Sequence, residues 1–98
     1  MLLRPHVVHF LDTMLSEQDY TRFDEAIIEK GSDLIGKTLA EAQIPQRTGL
    51  LVVALRRAGQ ERFIYNPSRD LVLHEGDVLV VIGAREAIRK LHKFTSGH

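Results

Sequence analysis

The 98-residue chain contains no cysteine, which removes disulfides, thiolate metal sites and a cysteine nucleophile. A reducing compartment fits that composition. Net charge is missing as well: thirteen basic side chains balance thirteen acidic ones. No overall field draws the chain to nucleic acid or to an anionic membrane, so no nucleic-acid partner is expected. The longest apolar runs, "GLLVVAL" and "VLVVIG", fall far short of the roughly 20 residues of a membrane-spanning helix. No basic-then-apolar leader opens the sequence, and no secretion signal is expected. Absent too are G-x-G-x-x-G, the P-loop lysine motif, the G-x-S-x-G elbow and H-E-x-x-H. The usual phosphate cradles, serine nucleophile and zinc helix are therefore excluded. No internal repeat or low-complexity tract is present.

What is there has the balance of an ordinary small globular domain, 44% hydrophobic and 27% charged, within the usual range. A chain this short buries a modest share of its surface and gains from a partner. Residues 4–18 include "RPHVVHFLDTMLS", where Val7, Phe10, Leu11, Met14 and Leu15 recur at helical spacing behind Pro5. That spacing predicts an amphipathic helix whose apolar stripe needs a cover. The polar "SEQDYTRFD" reads as a connection, with a boundary near residue 22.

Beyond it, "FDEAIIE" reads as a strand that "KGSD" breaks. "LIGKTLAEAQI" predicts a short helix from Lys37 or Thr38, ended by Pro45, because proline cannot continue the hydrogen-bond ladder. "GLLVVALRR" is an apolar, β-branched strand, turned by Ala58-Gly59-Gln60 into an antiparallel partner, "ERFIY". "NPSRD" is turn chemistry. Glu75-Gly76-Asp77 turns the chain into a central strand, Val78–Ile82. "REAIRKLHKF" closes the chain as a helix with Ile88, Leu91 and Phe94 at helical spacing. The fold class is α+β: a small, mostly antiparallel or mixed sheet flanked by helices, with an N-terminal linking helix.

Four groups of residues bear on chemistry. His6, His9 and Asp12 recur at i, i+3 and i+6, a spacing that suits a shared divalent cation and equally the solvated face of a helix. Arg56, Arg57, Arg62 and Arg69 cluster around the hairpin and its exit. They suit either a nucleotide phosphate or pairing with nearby carboxylates such as Glu61 and Asp70. Ser16, Ser32, Thr38 and Ser68 fall in turns, caps or polar connections without a base beside them. His74 and Glu75 adjoin the Gly-Asp turn but, as consecutive residues, point different ways. Catalysis is not expected.

The ordered motifs Gly31-Ser32, Leu34, Gly36, Thr38-Leu39, Val52 to Arg57, Pro67, Leu73, Gly76-Asp77, Leu79 and Gly83 span residues 23–94. In combination they resemble the C-terminal lobe of RCK domains, also called TrkA-C, and "MLLRPHVVHFLDTML" resembles the helix linking that lobe to a nucleotide-binding N-lobe. The resemblance implies a cytosolic regulatory and dimerisation lobe of a potassium channel or potassium-uptake system. It further implies a Rossmann-type N-lobe and a membrane pore upstream, and a homodimer that extends to a ring in the full-length protein. A cation-proton antiporter or other ion transporter carries the same module; a free-standing metal- or nucleotide-binding enzyme is the alternative from another class. Ligands of the family are divalent cations or a cyclic dinucleotide held at the dimer interface. The implied interface runs from Ile44 to Val53, and the implied ligand residues are Ile44, Pro45, Arg47, Leu51, Arg57 and Asn66. Glu25 matches an acidic position of calcium-responsive members and, with His6, His9 and Asp12 from the helical spacing, makes up the candidate metal set. Departures from the family are local. Calcium-responsive members carry carboxylates on the linking helix where this chain has His6, Val7 and Val8. Cyclic-dinucleotide binders carry Asp-Ile-Arg and an Asn where it has Gln43-Ile44-Pro45 and Leu51.

Overall fold

β-branched residues concentrate in "LVVALR" and "VLVVIG", and these two segments form the middle of a sheet. A computed structural model describes residues 5, 6, 8, 9 and 22–97. Over 22–97 the elements are β1 (Arg22–Ile27), α1 (Leu39–Ala42), α2 (Ile44–Thr48), β2 (Leu51–Arg56), β3 (Ile64–Tyr65), β4 (Val78–Gly83) and α3 (Arg85–Thr95). Of the helix expected over 4–18, Pro5, His6, Val8 and His9 are helical; the remainder, with Asp12, lies outside the described residues.

The strands lie in the order β1-β4-β2-β3, and every neighbouring pair is antiparallel. The expectation of a mixed sheet is thereby narrowed. β1 and β2 run the same way but never touch, because β4 lies between them. One face carries the core: Ala26, Leu79, Val81, Val52 and Leu55 pack with Ala87, Ile88 and Leu91 of α3 and with Leu34, Ile44, Leu50 and Leu73. Burying such side chains stabilises the fold by about 1.5–3 kcal/mol each. On the other face Phe23, Ile27, Leu51 and Tyr65 stay exposed. A bulge in β2, at Val53, makes this division work. It lets Val52 and Leu55 both face the core, opposite Val81 and Leu79, while Leu51 turns outward opposite Ile82.

Two expected elements differ. The short helix does not run on to Pro45; it stops at Gln43, which is left-handed (φ 50°), and α2 begins again with Pro45 in its first turn. Pro45 has no N–H to offer the carbonyl of Glu41, so the ladder breaks, and a proline is tolerated where a new helix needs no donor. Likewise the partner strand expected over "ERFIY" shrinks to Ile64–Tyr65. Gln60 N–H donates to the Arg57 carbonyl at 3.1 Å to close the turn, and only Ala54↔Tyr65 and Leu55↔Ile64 pair.

α1 has just four residues, too few to be stable alone, and its free N–H groups explain how it persists. Leu39 N–H donates to the Leu71 carbonyl at 3.0 Å and Ala40 N–H to the Arg69 carbonyl at 2.9 Å. Glu41 N–H donates to Thr38 Oγ1 at 3.1 Å, while Thr38 N–H donates to Glu41 Oε1 at 2.9 Å. This capping box and the 69–71 carbonyls satisfy the donors a helix start leaves open. The Thr38 N–H, and after it the Thr38 hydroxyl, hold the Glu41 carboxyl below the usual carboxylate range, with Lys37 adding to them.

A lowered folded value means that ionised Glu41 stabilises the fold above the ordinary carboxylate range, a contribution lost as pH falls through the lowered value. Glu41→Gln keeps the hydrogen bond and removes the charge. Chemical denaturation across pH is expected to show the variant less stable at neutral pH, with the gap closing in acid. A gap independent of pH would contradict this.

Candidate functional site

Where α1, α2, the start of β2 and the loop after β3 converge, they leave an open cavity of about 340 Å³. Leu39 and Ala40 of α1 and Ile44, Pro45 and Gln46 of α2 form one side; Leu51 and Val52 of β2, Pro67 and Arg69 form the other. The local chain makes this shape. Gly49, left-handed at φ 84°, ends α2, and Thr48 Oγ1 donates to the Ile44 carbonyl at 2.6 Å and accepts from Leu50 N–H at 3.1 Å. The chain therefore doubles back so that Leu51 stands beside Pro45. On the opposite wall, Ser68 orders the turn: its carbonyl accepts from Leu71 N–H at 3.0 Å and its hydroxyl from Asp70 N–H at 3.2 Å. The 69–71 carbonyls then clasp α1, as above. Both walls are held by backbone hydrogen bonds, so the cavity is largely preformed.

Of the six residues implied as ligand contacts, the cavity gathers Ile44, Pro45 and Leu51. The other three are committed elsewhere. Arg47 lays its guanidinium over the Phe94 ring, 3.8 Å from the centroid, a cation–π contact that joins α2 to α3. Arg57 Nη1 donates to Asp77 Oδ2 at 2.5 Å. Asn66 is left-handed (φ 46°), and its N–H donates to the carbonyl of the bulged Val53 at 2.9 Å, so it serves the β2–β3 junction. Nor is the implied interface segment outward throughout: Ile44, Thr48 and Leu50 are buried in the chain's own core. Leu51, at 60%, and Pro45 are its exposed apolar residues. Gln46 and Arg69 line the cavity without having been singled out as contacts, although Arg69 belongs to the arginine cluster of the sequence. For Arg69 that cluster, read as suiting a nucleotide phosphate or nearby carboxylates, was the signal.

Asp77 is 1% exposed and accepts from two donors, Arg57 Nη1 and His74 N–H at 2.8 Å. Local backbone bonding accounts for half of its role. The other half is an ion pair that the sequence hides, since the partner lies twenty residues away and not at Glu61 or Asp70. Gly76 before it has φ 86°, and an added Cβ would stand 2.9 Å from that of Ala58; this turn requires glycine.

For the metal set, His6 and His9 are exposed and Glu25 lies on β1. Glu25, Glu29 and His92 border a second hollow of about 260 Å³ between the β1 edge and the end of α3. Among the described residues no three His, Asp or Glu side chains come together to hold a metal ion. Nor is any helix among them long and apolar enough to cross a membrane.

Comparison with known proteins adds the context. The family model described as TrkA-C domain matches residues 25–96. The K(+)/H(+) antiporter subunit KhtT of Bacillus subtilis is 33% identical over 99% of this chain and 57% of its own length. Probable potassium channel protein 2 of Methanocaldococcus jannaschii is 32% identical over 91% of this chain and 27% of its own. The chain thus spans about half or less of these relatives. Among solved structures, the RCK_C domain dimer of S. agalactiae BusR in complex with c-di-AMP superposes with a TM-score of 0.68 at 25% identity, covering 74% of this chain and 93% of that one. The KtrA RCK C domain, also in complex with c-di-AMP, shares the fold with a TM-score of 0.73 at 22% identity, over 90% of this chain and 94% of that one. BusR has further been solved with its promoter DNA. The balanced charge of this lobe is therefore no ground for excluding nucleic acid from an assembly that contains the fold.

Asp77→Asn keeps the side chain's shape and its bond to His74 N–H but removes the charge that Arg57 meets. Loss of a hydrogen bond to a charged group costs about 1.5–3 kcal/mol. Denaturant titration is expected to show a destabilisation in that range. A loss near zero would show that the pair contributes nothing.

Proposed function

The chain belongs to the TrkA-C domain family, and from that premise we propose that it is a non-enzymatic regulatory and dimerisation lobe of a potassium-transport system. Residues 23–94 form the lobe, and 4–18 are the segment that links it to an upstream Rossmann-type N-lobe. It works on the cytoplasmic side of the membrane, beside a potassium channel or uptake system, as a homodimer that builds into a ring in the full-length protein. One observation carries the ligand reading: the preformed cavity opens beside the exposed Leu51 and Pro45, in a fold whose BusR relative is a dimer holding c-di-AMP.

The chemistry is consistent with that ligand. A cyclic dinucleotide has two equivalent halves, and an isologous dimer presents the same patch twice. Each copy offers one apolar cavity for one base, and the ligand closes across the dyad. Leu39, Ile44, Pro45, Leu51 and Val52 supply apolar surface for a ring to stack on. Binding biases the transport machinery only insofar as the ligand prefers one relative orientation of the two lobes. A second reading has its own support: KhtT, matched along 99% of the chain, is an antiporter subunit, so the lobe equally suits a cation-proton antiporter.

Light scattering and calorimetric titration with c-di-AMP test this reading. A dimer at micromolar concentration that takes up one c-di-AMP is expected, as is loss of binding in Leu51→Glu, which removes apolar stacking surface and sets a like charge beside the phosphates. A monomer with or without c-di-AMP, and no heat of binding, would contradict it.

A further inference from the structure

We propose that Arg69 is the anion-recognising residue of the cavity, and that each copy's Arg69 meets one phosphate of the dinucleotide. This rests on the cyclic-dinucleotide reading above and deepens it. A ligand with two phosphates brings two negative charges to an apolar cavity. A phosphate brought to an open, partly apolar wall is recognised best by a cation within reach of it.

Arg47 and Arg57, the cations implied by the family resemblance, are already occupied on Phe94 and Asp77. Arg56 lies over the Phe63 ring, 5.6 Å from the centroid. Arg69 is the one charged residue among those lining the cavity, and its side chain makes no ion pair, ring contact or hydrogen bond among the described residues. Asp70, next to it in sequence, forms no ion pair with it among the described residues, and Glu41 on α1 is held by Thr38.

Its backbone is fixed although its head is free. The Arg69 carbonyl accepts from Ala40 N–H at 2.9 Å, and Thr38↔Val72 forms a bridge next to it. The side chain therefore starts from a defined point on the cavity wall, which lowers the ordering cost of engaging a ligand. A guanidinium offers a planar fork of donors that matches two phosphate oxygens. In a dimer, two Arg69 side chains meet two phosphates.

Calorimetric titration of c-di-AMP into the 98-residue chain, at low and high salt, tests this with Arg69→Gln, Arg69→Lys and, as an exposed arginine outside the cavity, Arg62→Gln. Arg69→Gln is expected to weaken binding by about tenfold or more, the scale of a charged hydrogen bond. Arg69→Lys retains part of the affinity, and the salt dependence of binding flattens in Arg69→Gln. Arg62→Gln stays within about twofold of the unaltered chain, as surface changes usually do. If Arg69→Gln matches Arg62→Gln while Leu51→Glu abolishes binding, the site stands and the assignment of Arg69 falls. If the unaltered chain binds no c-di-AMP, the ligand reading fails and this assignment with it. Should Arg69→Gln unfold, Arg69→Lys and the salt dependence of the unaltered chain decide: salt-independent binding overturns the proposal.

Discussion

A buried carboxylate has to be paired, and the pairing of Asp77 with Arg57 ties the exit of β2 to the entry of β4. Those are the two inner strands of the sheet. With their ends joined, the ladder between them has a fixed starting point at Arg56↔Val78. Running back from that point, the bulge at Val53 has to sit where it does if Leu55 and Val52 are both to face the core. The bulge in turn leaves Leu51 outward, next to α2. A charge pair at one end of the sheet thus determines which side chain reaches the cavity at the other.

The opposite wall depends on a different device. α1 is a single turn that would not persist unaided; it is held by carbonyls of the 69–71 loop and by a capping box. The contact works in both directions. The loop gives α1 its hydrogen-bond partners, and α1 fixes the stretch of chain that carries Arg69. Because both walls are backbone-laced, a ligand arriving here meets a shaped surface instead of having to order one. On the proposed reading, its binding energy is then available for bringing two copies into one orientation, which is what a regulatory lobe needs.

Much of this was legible in the sequence, and the reasons for the misses are specific. Val78–Ile82 could be placed at the sheet centre because a continuous apolar run needs burial on both faces. The closing helix was readable from Ile88, Leu91 and Phe94. The left-handed Gln43 was not, since nothing marks a glutamine for that conformation; only Pro45, two residues on, hints that the ladder must break. Among the site residues, Ile44, Pro45 and Leu51 came from family resemblance and lie at the cavity. Arg47 and Arg57 look alike in a string of letters, and only packing shows that Phe94 and Asp77 occupy them. Arg69 stood in a visible cluster of arginines, but which uncommitted member lines the cavity is a tertiary fact.

Backbone hydrogen exchange, measured with and without c-di-AMP, tests the central claim most directly: that the ligand sits between the α1–α2 wall and the 67–69 loop. The account predicts that added protection is concentrated at Leu39–Val52 and at Ser68–Arg69, with the β1 edge and the second hollow near His92 unchanged. Protection centred on β1 and the end of α3, or none anywhere at saturating ligand, would contradict it.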